Sequence, residues 1–454
     1  MDRFMNPKSV AVIGASEDPR KGGYALVSNL KEKFPGHLYP INPGSSEICG
    51  LPAFKSIKDL PGPVDLGIVF IPAAAVPEVM EECGKKGISR IMIQSAGFAE
   101  TGPQGLALQE ACVLTARKYG MRVWGPNCMG MVNGGTGTVA SFMRPDIWPG
   151  HLKPGKVSLI VQSGMLSAGF LVQILKEGFF GLSKACSIGN RCDVNESDLL
   201  EYFAEDSQTE VIAMYLESIV DVPRFRKAIS RLKKPVVLLK GGTSTEGAGA
   251  AQSHTGSLAG DARLTEGFLR QMKIYRATDF FEMVDMTRGL SLWQGRGRGR
   301  RMGIVTFSGA SGIVAADHFA GLGMTLAPLS PETIRTLQTI FPPWMNPQNP
   351  VDVWPAIERV GRKAFEVAIK ALLADPQVDA LYLNLYMDRK IFEEGVEFLD
   401  NLKGTKKPTA IWLIGEPQCF RKIREMVEPF GTPVFTELAR GARVLSMKLA
   451  SPHP

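Results

Sequence analysis

The sequence predicts an α/β protein built from three doubly wound, parallel-sheet domains. Apolar strand-like runs alternate with amphipathic helical patterns, and this alternation starts again near Lys156 and once more near Met302. Strands separated by helical crossovers form parallel sheets. The strand–Ser-Gly–helix starts at Val161–Leu166 and Thr306–Ile313 resemble each other, which indicates that the second and third domains share a fold. We expect domains at residues 1–135, 150–293 and 301–454, with a linker at 294–300.

Composition narrows the class of protein. Hydrophobic residues make up 44% and charged residues 21% of the 454 residues, as in a globular chain with a sizeable core. No apolar run reaches the ~18 residues of a membrane span, and the N-terminus lacks the apolar core of a signal peptide, so we expect a cytoplasmic protein without a membrane partner.

Two further features bear on partners and metals. The seven cysteines include no CxxC pair, which indicates neither a disulfide framework nor a zinc site, and no other metal-binding pattern is present. The net charge of +7 is mild, and the basic run Arg296–Arg301 lacks aromatic residues. The mild charge suits a small anionic ligand. The basic run is interpreted as a solvated linker rather than as a nucleic-acid-binding segment.

In the first domain, five strand-like runs alternate with helical patterns. The strands are expected at residues 9–14, 37–43, 64–72, 89–97 and 121–127, and the helices at 23–33, 76–86 and 106–120. Small, polar or proline residues follow each strand. Those we predict to bind a ligand are Gly14, Ala15, Ser16, Asn42, Pro43, Ile71, Pro72, Ser95, Ala96, Gly97 and Asn127. Ligands of doubly wound sheets bind beyond the carboxyl ends of the strands, so these turns predict one cleft.

The first turn indicates which ligand the cleft takes. It lacks the GxGxxG fingerprint of dinucleotide sites, and the second strand ends in Asn42 rather than an acidic residue. Arg20 and Lys21 instead precede the glycine pair Gly22–Gly23 that opens the first helix. Cations beside helix-terminal amides favour phosphate. Coenzyme A fits this pattern, and on these residues alone so do other nucleotides.

The later domains repeat the alternation. We expect strands at 157–162, 182–190, 210–218, 235–240, 302–307, 379–387 and 408–415, and helices at 163–178, 196–206, 222–232, 259–272, 279–292 and 308–323. Residues 136–150 are poor in helix signal and are interpreted as a linker. The glycine-rich segment Gly241–Gly260 follows a strand and contains one imidazole, His254.

Three features of these domains suit the handling of a phosphoryl group. His254 is a possible phosphoryl acceptor, because an unperturbed imidazole is partly uncharged and nucleophilic near neutral pH. Glu217 ends a strand of the same sheet and is suited to accept a ring N–H. Two helix starts offer backbone amides and hydroxyls to an anion. Their residues are Ser163, Gly164, Ser308, Gly309, Ser311 and Gly312. Each feature alone is more often structural, so the hypothesis depends on their joint occurrence.

Several motifs then resemble one known family over essentially the whole chain. They are VAVIGAS and WGPNCMG in the first domain, SIGN, YLES and SHTGSLAG in the second, and SGASGIVAAD and NPVD in the third. The chain resembles the α subunit of NDP-forming acyl-CoA synthetases of the ADP-forming acetate–CoA ligase type, relatives of succinyl-CoA synthetase. The resemblance implies a Rossmann-like CoA-binding domain followed by two flavodoxin-like domains.

The same resemblance implies a reaction and roles for residues. Carboxylate, CoA and NTP would give acyl-CoA, NDP and phosphate reversibly, through a phosphohistidine on His254 whose ring is held by Glu217. The helix starts at Ser163 and Ser308 would hold phosphate. Neither an ATP-grasp pattern nor a Walker A motif is present. We therefore expect ATP or GTP with magnesium to bind an ATP-grasp β subunit in a heteromer, and a small carboxylic acid to be the substrate.

Two other functions are compatible with parts of the pattern. A non-catalytic CoA-binding or CoA-sensing protein would need no nucleophile, and the SHTG segment with Glu217 argues against it. An NAD(P)-dependent dehydrogenase is disfavoured by the absent fingerprint and by Asn42.

Overall fold

The computed structural model describes residues 1–247, 249, 262–293, 297 and 299–449. His254 lies outside the described residues, as does part of the predicted linker 294–300. The chain divides into two compact units, residues 1–284 and 285–454. Among the described residues, no helix is both long enough and apolar enough to span a membrane.

The first unit begins with a five-stranded parallel sheet. Its strands are β1 (Ser9–Ile13), β2 (His37–Ile41), β5 (Leu66–Val69), β6 (Arg90–Ile93) and β7 (Arg122–Trp124). Between β2 and β5, the strands β3 (Glu47–Ile48) and β4 (Leu51–Pro52) form a separate small hairpin. The α-helices of this part are α1 (Asp2–Met5), α2 (Gly22–Lys33), α3 (Val76–Lys86) and α4 (Pro103–Tyr119). Strands β1, β5, β6 and β7 are largely buried, which explains why short apolar runs predicted them, whereas only the last two residues of β2 are buried.

The strand order of this sheet creates a crevice. The order is β2-β1-β5-β6-β7, so the direction of winding reverses between β1 and β5. At such a switch point the crossovers leave to opposite sides, and a ligand can enter beyond the carboxyl ends of the two strands. The turns after Ile13 and Val69 therefore flank the crevice.

The second sheet of the first unit has seven strands in the order β14-β13-β12-β10-β11-β8-β9. They are β8 (Met131–Asn133), β9 (Thr138–Ala140), β10 (Pro154–Val161), β11 (Leu182–Ser187), β12 (Val211–Leu216), β13 (Val236–Lys240) and β14 (Tyr275–Ala277). Strands β10 to β14 are parallel. The accompanying helices are α5 (Gly164–Glu177), α6 (Glu196–Glu205), α7 (Val222–Arg231), α8 (Ala262–Gln271) and α9 (Phe280–Leu292), the last of which crosses into the second unit.

Strands β8 and β9 correct the interpretation of residues 136–150 as a linker. They form an antiparallel hairpin, and β8 extends the sheet by pairing with β11. The two strands are three residues long each. That length is too short for an alternation of apolar and polar residues to be recognised. These residues form strands because they pair with neighbouring strands, β9 with β8 and β8 with β11.

The second unit contains a six-stranded parallel sheet in the order β16-β15-β18-β19-β20, with β17 also paired to β15. Its strands are β15 (Arg301–Thr306), β16 (Thr325–Leu326), β17 (Val351–Asp352), β18 (Ala380–Met387), β19 (Thr409–Gly415) and β20 (Val434–Phe435). Its helices are α10 (Gly309–Gly321), α11 (Pro331–Gln338), α12 (Trp354–Val360), α13 (Lys363–Ala374), α14 (Arg389–Glu393), α15 (Pro417–Val427) and α16 (Leu438–Leu449). Three mainly parallel sheets with helical crossovers confirm the predicted fold class.

Candidate active site

The turns at the carboxyl edge of the first sheet are tied to one another. The Asn42 side-chain amide donates to the Ala15 carbonyl at 2.7 Å, and its oxygen accepts from the Gly44 N–H at 2.8 Å. The buried Ser95 hydroxyl accepts from the Ile71 N–H at 3.0 Å, and the Ser95 carbonyl accepts from the Asn127 N–H at 2.9 Å. The polar groups of Asn42 and Ser95 thus fix the shape of the edge.

Other predicted ligand residues of this edge lie open to solvent. The exposed ones are Arg20, Lys21, Pro43, Pro72 and Ala96, and those half-buried are Gly14, Ser16, Ile71, Gly97 and Asn127. The Arg20 guanidinium forms an ion pair with Asp18 at 2.9 Å, and its hydrogen bonds hold the pKa of the Asp18 carboxyl below its usual value. The Ser16 hydroxyl accepts from the Asp18 N–H at 3.1 Å.

Glycines bring the first helix directly against the first turn. A Cβ on Gly23 would lie 2.1 Å from the Gly14 carbonyl oxygen, and a Cβ on Gly14 would lie 2.2 Å from the Phe70 carbonyl oxygen. Gly14 has a φ of +96°, in the region that favours glycine. The start of α2 therefore packs directly on the turn after β1 at the switch point, and the amides of such a helix start suit a phosphate-bearing ligand such as CoA.

Sequence reasoning missed two aromatic residues of this crevice. The Phe70 and Phe142 rings stack with centroids 4.8 Å apart, and a Cβ on Gly22 would lie 2.5 Å from the Phe70 ring. Phe142 belongs to the segment interpreted as a linker, so no local pattern could have found it.

Three neighbouring strands of the second sheet end side by side. Val161 of β10 is in register with Tyr215 of β12, and Leu216 of β12 with Lys240 of β13. Continuing this register places Ser163 beside Glu217, and Glu217 beside Gly241. A Cβ on Gly241 would lie 3.5 Å from Glu217 Cγ. The carboxylate and the first residue of the glycine-rich segment are therefore neighbours, and Ser163 lies just beyond the end of the adjacent strand β10.

The start of α5 is capped locally. The Ser163 side chain accepts from the Leu166 N–H at 3.3 Å, and the helix begins at Gly164. First-turn amides of a helix have no intrahelical acceptor, so they are available to an anion. Both Ser163 and Gly164 are half-buried.

Glu217 is 8% exposed and has polar neighbours on its own edge. The Tyr215 hydroxyl lies 3.5 Å from Oε1, and the Gln162 amide nitrogen lies 3.4 Å from Oε2. Burial, together with the Glu217 charge, raises the pKa of Tyr215 to about 12, so its hydroxyl stays protonated and able to donate. Lys240 Nζ donates to the Glu217 carbonyl at 2.5 Å, and burial lowers the pKa of that amine.

A buried ion pair holds the turn after Glu217. Arg191 Nη1 lies 3.1 Å from Glu196 Oε2 and donates to the Ser218 carbonyl at 2.8 Å. Glu196 Oε1 accepts from the Val220 N–H at 2.8 Å. Arg191 follows the SIGN motif, but the turn that it holds at Ser218 is 27 residues away in sequence, and nothing local indicated this role.

The predicted phosphate-binding residues of the second unit differ in their surroundings. Ser308 immediately precedes α10, and its N–H donates to Thr306 Oγ1 at 3.1 Å. The buried Ser311 hydroxyl donates to the Ser308 carbonyl at 2.8 Å. The Gly312 N–H donates to the same carbonyl at 3.1 Å. Ser311 and Gly312 therefore stabilise the turn in this structure, and Ser308 and Gly309 lie at the helix start.

A carboxylate lies next to that helix start. Asp352 Oδ2 would be 3.1 Å from a Cβ placed on Gly309, and Asp352 Oδ1 accepts from the Trp354 N–H at 3.1 Å. A negative charge at this distance opposes a second anion at the same helix end. The starts of α5 and α10 thus differ electrostatically, which the similar sequences Ser163–Leu166 and Ser308–Ser311 did not indicate.

Comparisons with known proteins agree with this description. A CoA binding domain family matches residues 8–134, and a succinyl-CoA ligase like flavodoxin domain family matches residues 154–290. The α subunit of an ADP-forming acetate–CoA ligase II from Pyrococcus furiosus is 40% identical over 383 residues, which cover 84% of this chain and 81% of the relative. An ADP-forming acetate–CoA ligase II from Archaeoglobus fulgidus is 34% identical over 443 residues, which cover 97% of this chain and 65% of the relative.

A solved structure extends the similarity to the whole chain. It is acetyl-coenzyme A synthetase 1 of Candidatus Korarchaeum cryptofilum in complex with phosphate and ADP. The TM-score is 0.87 at 30% identity, and the alignment covers 98% of this chain and 95% of that one.

The matched domains and the relatives named as acetate–CoA ligases, which join an acid to a thiol, show that the chain is an acid–thiol ligase. At this level of identity and coverage, the chain belongs to the NDP-forming acyl-CoA synthetase family, whose members here include ADP-forming acetate–CoA ligases and their α subunits. The family predicted from the motifs is confirmed.

Proposed function

We propose that the chain is the α subunit of an NDP-forming acyl-CoA synthetase that transfers phosphate through His254. The observation that supports this most strongly is that Ser163, Glu217 and Gly241 lie just beyond the ends of three adjacent strands, β10, β12 and β13. A helix start for the phosphate, a carboxylate for a ring N–H and the origin of the SHTG segment occupy one edge.

The proposed chemistry assigns one task to each group. In the synthesis direction, an imidazole nitrogen of His254 attacks the terminal phosphorus of NTP, the bond to the leaving oxygen breaks, and NDP departs. A carboxylate oxygen of the substrate then attacks the phosphohistidine, which frees the imidazole and forms an acyl phosphate. The thiolate of CoA attacks the acyl carbon, and phosphate leaves. Splitting the transfer in this way replaces one difficult step by easier ones.

Glu217 and the start of α5 act on the histidine side of this sequence. Glu217 accepts the N–H of the ring nitrogen that does not react, which orients the imidazole and stabilises positive charge on it. The α5 amides and the Ser163 hydroxyl hold the phosphoryl oxygens. The crevice of the first sheet, with α2 packed on Gly14, holds CoA, which supplies the thiol.

A separate partner is proposed for the nucleotide. The relative named as an α subunit is matched over 81% of its length, whereas the relative named without a subunit is matched over 65%. The longer relative thus has sequence with no counterpart in this chain. We propose that ATP or GTP and magnesium bind to a partner β subunit with an ATP-grasp fold. A small carboxylic acid is the proposed substrate, and it supplies the acyl group of acyl-CoA.

This function is tested by mixing the purified chain, the candidate β subunit, acetate, CoA and ATP with magnesium. We expect acetyl-CoA and ADP in equal amounts only when both subunits are present, because the chain is proposed to lack the nucleotide site. Turnover by the chain alone would contradict the proposed partner. Release of AMP and pyrophosphate would contradict the NDP-forming reaction.

A further inference from the structure

Gln162 immediately follows β10, and its backbone is held from both sides. Its N–H donates to the Tyr215 carbonyl at 3.0 Å, and its carbonyl accepts from the Gly189 N–H at 3.1 Å. The side chain is 4% exposed. The direction in which Gln162 leaves the sheet is therefore set by its two neighbouring strands.

The side-chain amide of Gln162 contacts Glu217 at two places. Oε1 accepts from the Glu217 N–H at 2.8 Å and from the Ser218 N–H at 3.4 Å, and Nε2 donates to Glu217 Oε2 at 3.4 Å. The backbone groups can only donate and the carboxylate, when ionised, can only accept, so the amide has one satisfactory orientation. Glutamate in its charged form lacks the donor, methionine lacks both groups, and asparagine is one methylene shorter.

The turn itself does not depend on Gln162 alone. Arg191 donates to the Ser218 carbonyl and hydroxyl, each at 2.8 Å, and Glu196 accepts from the Val220 N–H. These buried contacts fix the backbone beyond Glu217 from another direction. What the Gln162 amide adds is the direction of the carboxylate, with Oε2 bound and the lone pairs of Oε1 available beside a long 3.5 Å contact to the Tyr215 hydroxyl.

We propose that Gln162 is a positioning residue for the phosphohistidine step, which fixes the orientation of the Glu217 carboxylate by a hydrogen bond to Oε2. This inference rests on the proposed function, because it assumes that Glu217 orients His254. It goes further by assigning a separate residue, on another strand, to the geometry of that carboxylate.

The test uses the complex of the chain with its β subunit and follows phosphohistidine formation from labelled ATP by rapid quenching. Gln162→Met is expected to slow phosphorylation about tenfold, the magnitude of one hydrogen bond, with unchanged CoA affinity. The double variant Gln162→Met with Glu217→Gln distinguishes positioning from packing. If Gln162 acts through the Glu217 carboxylate, its loss adds little once that carboxylate is removed, whereas a packing defect slows phosphorylation in both backgrounds.

The double variant should therefore phosphorylate at nearly the rate of Glu217→Gln alone, rather than about tenfold more slowly. Ser158→Ala is the matched control, since Ser158 is fully buried on the same strand and its hydroxyl lies 2.8 Å from Thr209 Oγ1. We expect that variant to phosphorylate at the wild-type rate.

The outcomes separate this inference from the proposed function. If Glu217→Gln slows phosphorylation but Gln162→Met does not, the positioning role is wrong and the proposed function stands. Equal slowing in Gln162→Met and Ser158→Ala, or a full further slowing when Gln162→Met is combined with Glu217→Gln, also overturns the positioning role. If the wild-type complex forms no phosphohistidine, the proposed function itself fails.

Discussion

Glu217→Gln is expected to slow phosphohistidine formation on the order of 100-fold while leaving the affinity for CoA unchanged. The substitution keeps the size of the side chain but removes the negative charge that orients the imidazole and stabilises it when it becomes positive. CoA affinity should be unaffected, because the crevice proposed for it belongs to the other sheet of the first unit. Rapid-quench phosphorylation of the complex and calorimetric titration with CoA measure the two quantities.

Glu210→Gln provides the control for this substitution. Glu210 lies at the opposite end of β12, half-exposed, and pairs with Lys156 at 2.7 Å. Exposed ion pairs contribute little to stability, so this variant should phosphorylate normally. Wild-type rates in Glu217→Gln would remove Glu217 from the mechanism.

Gly23→Ala is expected to weaken CoA binding by at least tenfold and to destabilise the first sheet. The added methyl carbon would lie 2.1 Å from the Gly14 carbonyl oxygen, a backbone atom that cannot turn aside. Helix α2 must then move away from the first turn, and overpacking of this kind costs about 1–3 kcal/mol. Calorimetric titration with CoA and thermal unfolding measure the two effects.

Gly62→Ala is the matched control for that substitution. Gly62 lies in the same part of the chain, and a Cβ there would meet no atom within 4 Å. We expect normal CoA affinity and nearly unchanged stability. Normal CoA binding by Gly23→Ala would show that the ligand does not depend on the close packing of α2 on the first turn.

The sequence predicted the elements whose signals are local. Strand β1 is five buried residues, and the helix at Gly22–Lys33 begins with two glycines at which a Cβ would clash with neighbouring atoms. The position of Glu217 at a strand end followed from the same pattern. Apolar runs bounded by turns are sufficient for such elements, because burial on both faces leaves few alternatives.

The roles of Gln162 and Arg191 could not be predicted in this way. Gln162 contacts Glu217 at a sequence separation of 55 residues, and Arg191 reaches Ser218 at a separation of 27. Such contacts depend on which strands become neighbours, and the hairpin of β8 and β9 shows that pairing can form without a local signal. The starts of α5 and α10 have similar sequences, but their electrostatic surroundings differ, because Asp352 lies beside the start of α10.

The most direct test of the account is phosphate labelling of the complex with and without His254. The wild-type complex, incubated with labelled ATP and magnesium, should acquire acid-labile, base-stable phosphate on this chain, and the label should leave when acetate and CoA are added. His254→Ala should acquire none and should form no acyl-CoA, because the proposed transfer has no other acceptor. Acid-labile label that persists on His254→Ala, or acyl-CoA synthesis by that variant at the wild-type rate, would contradict the account.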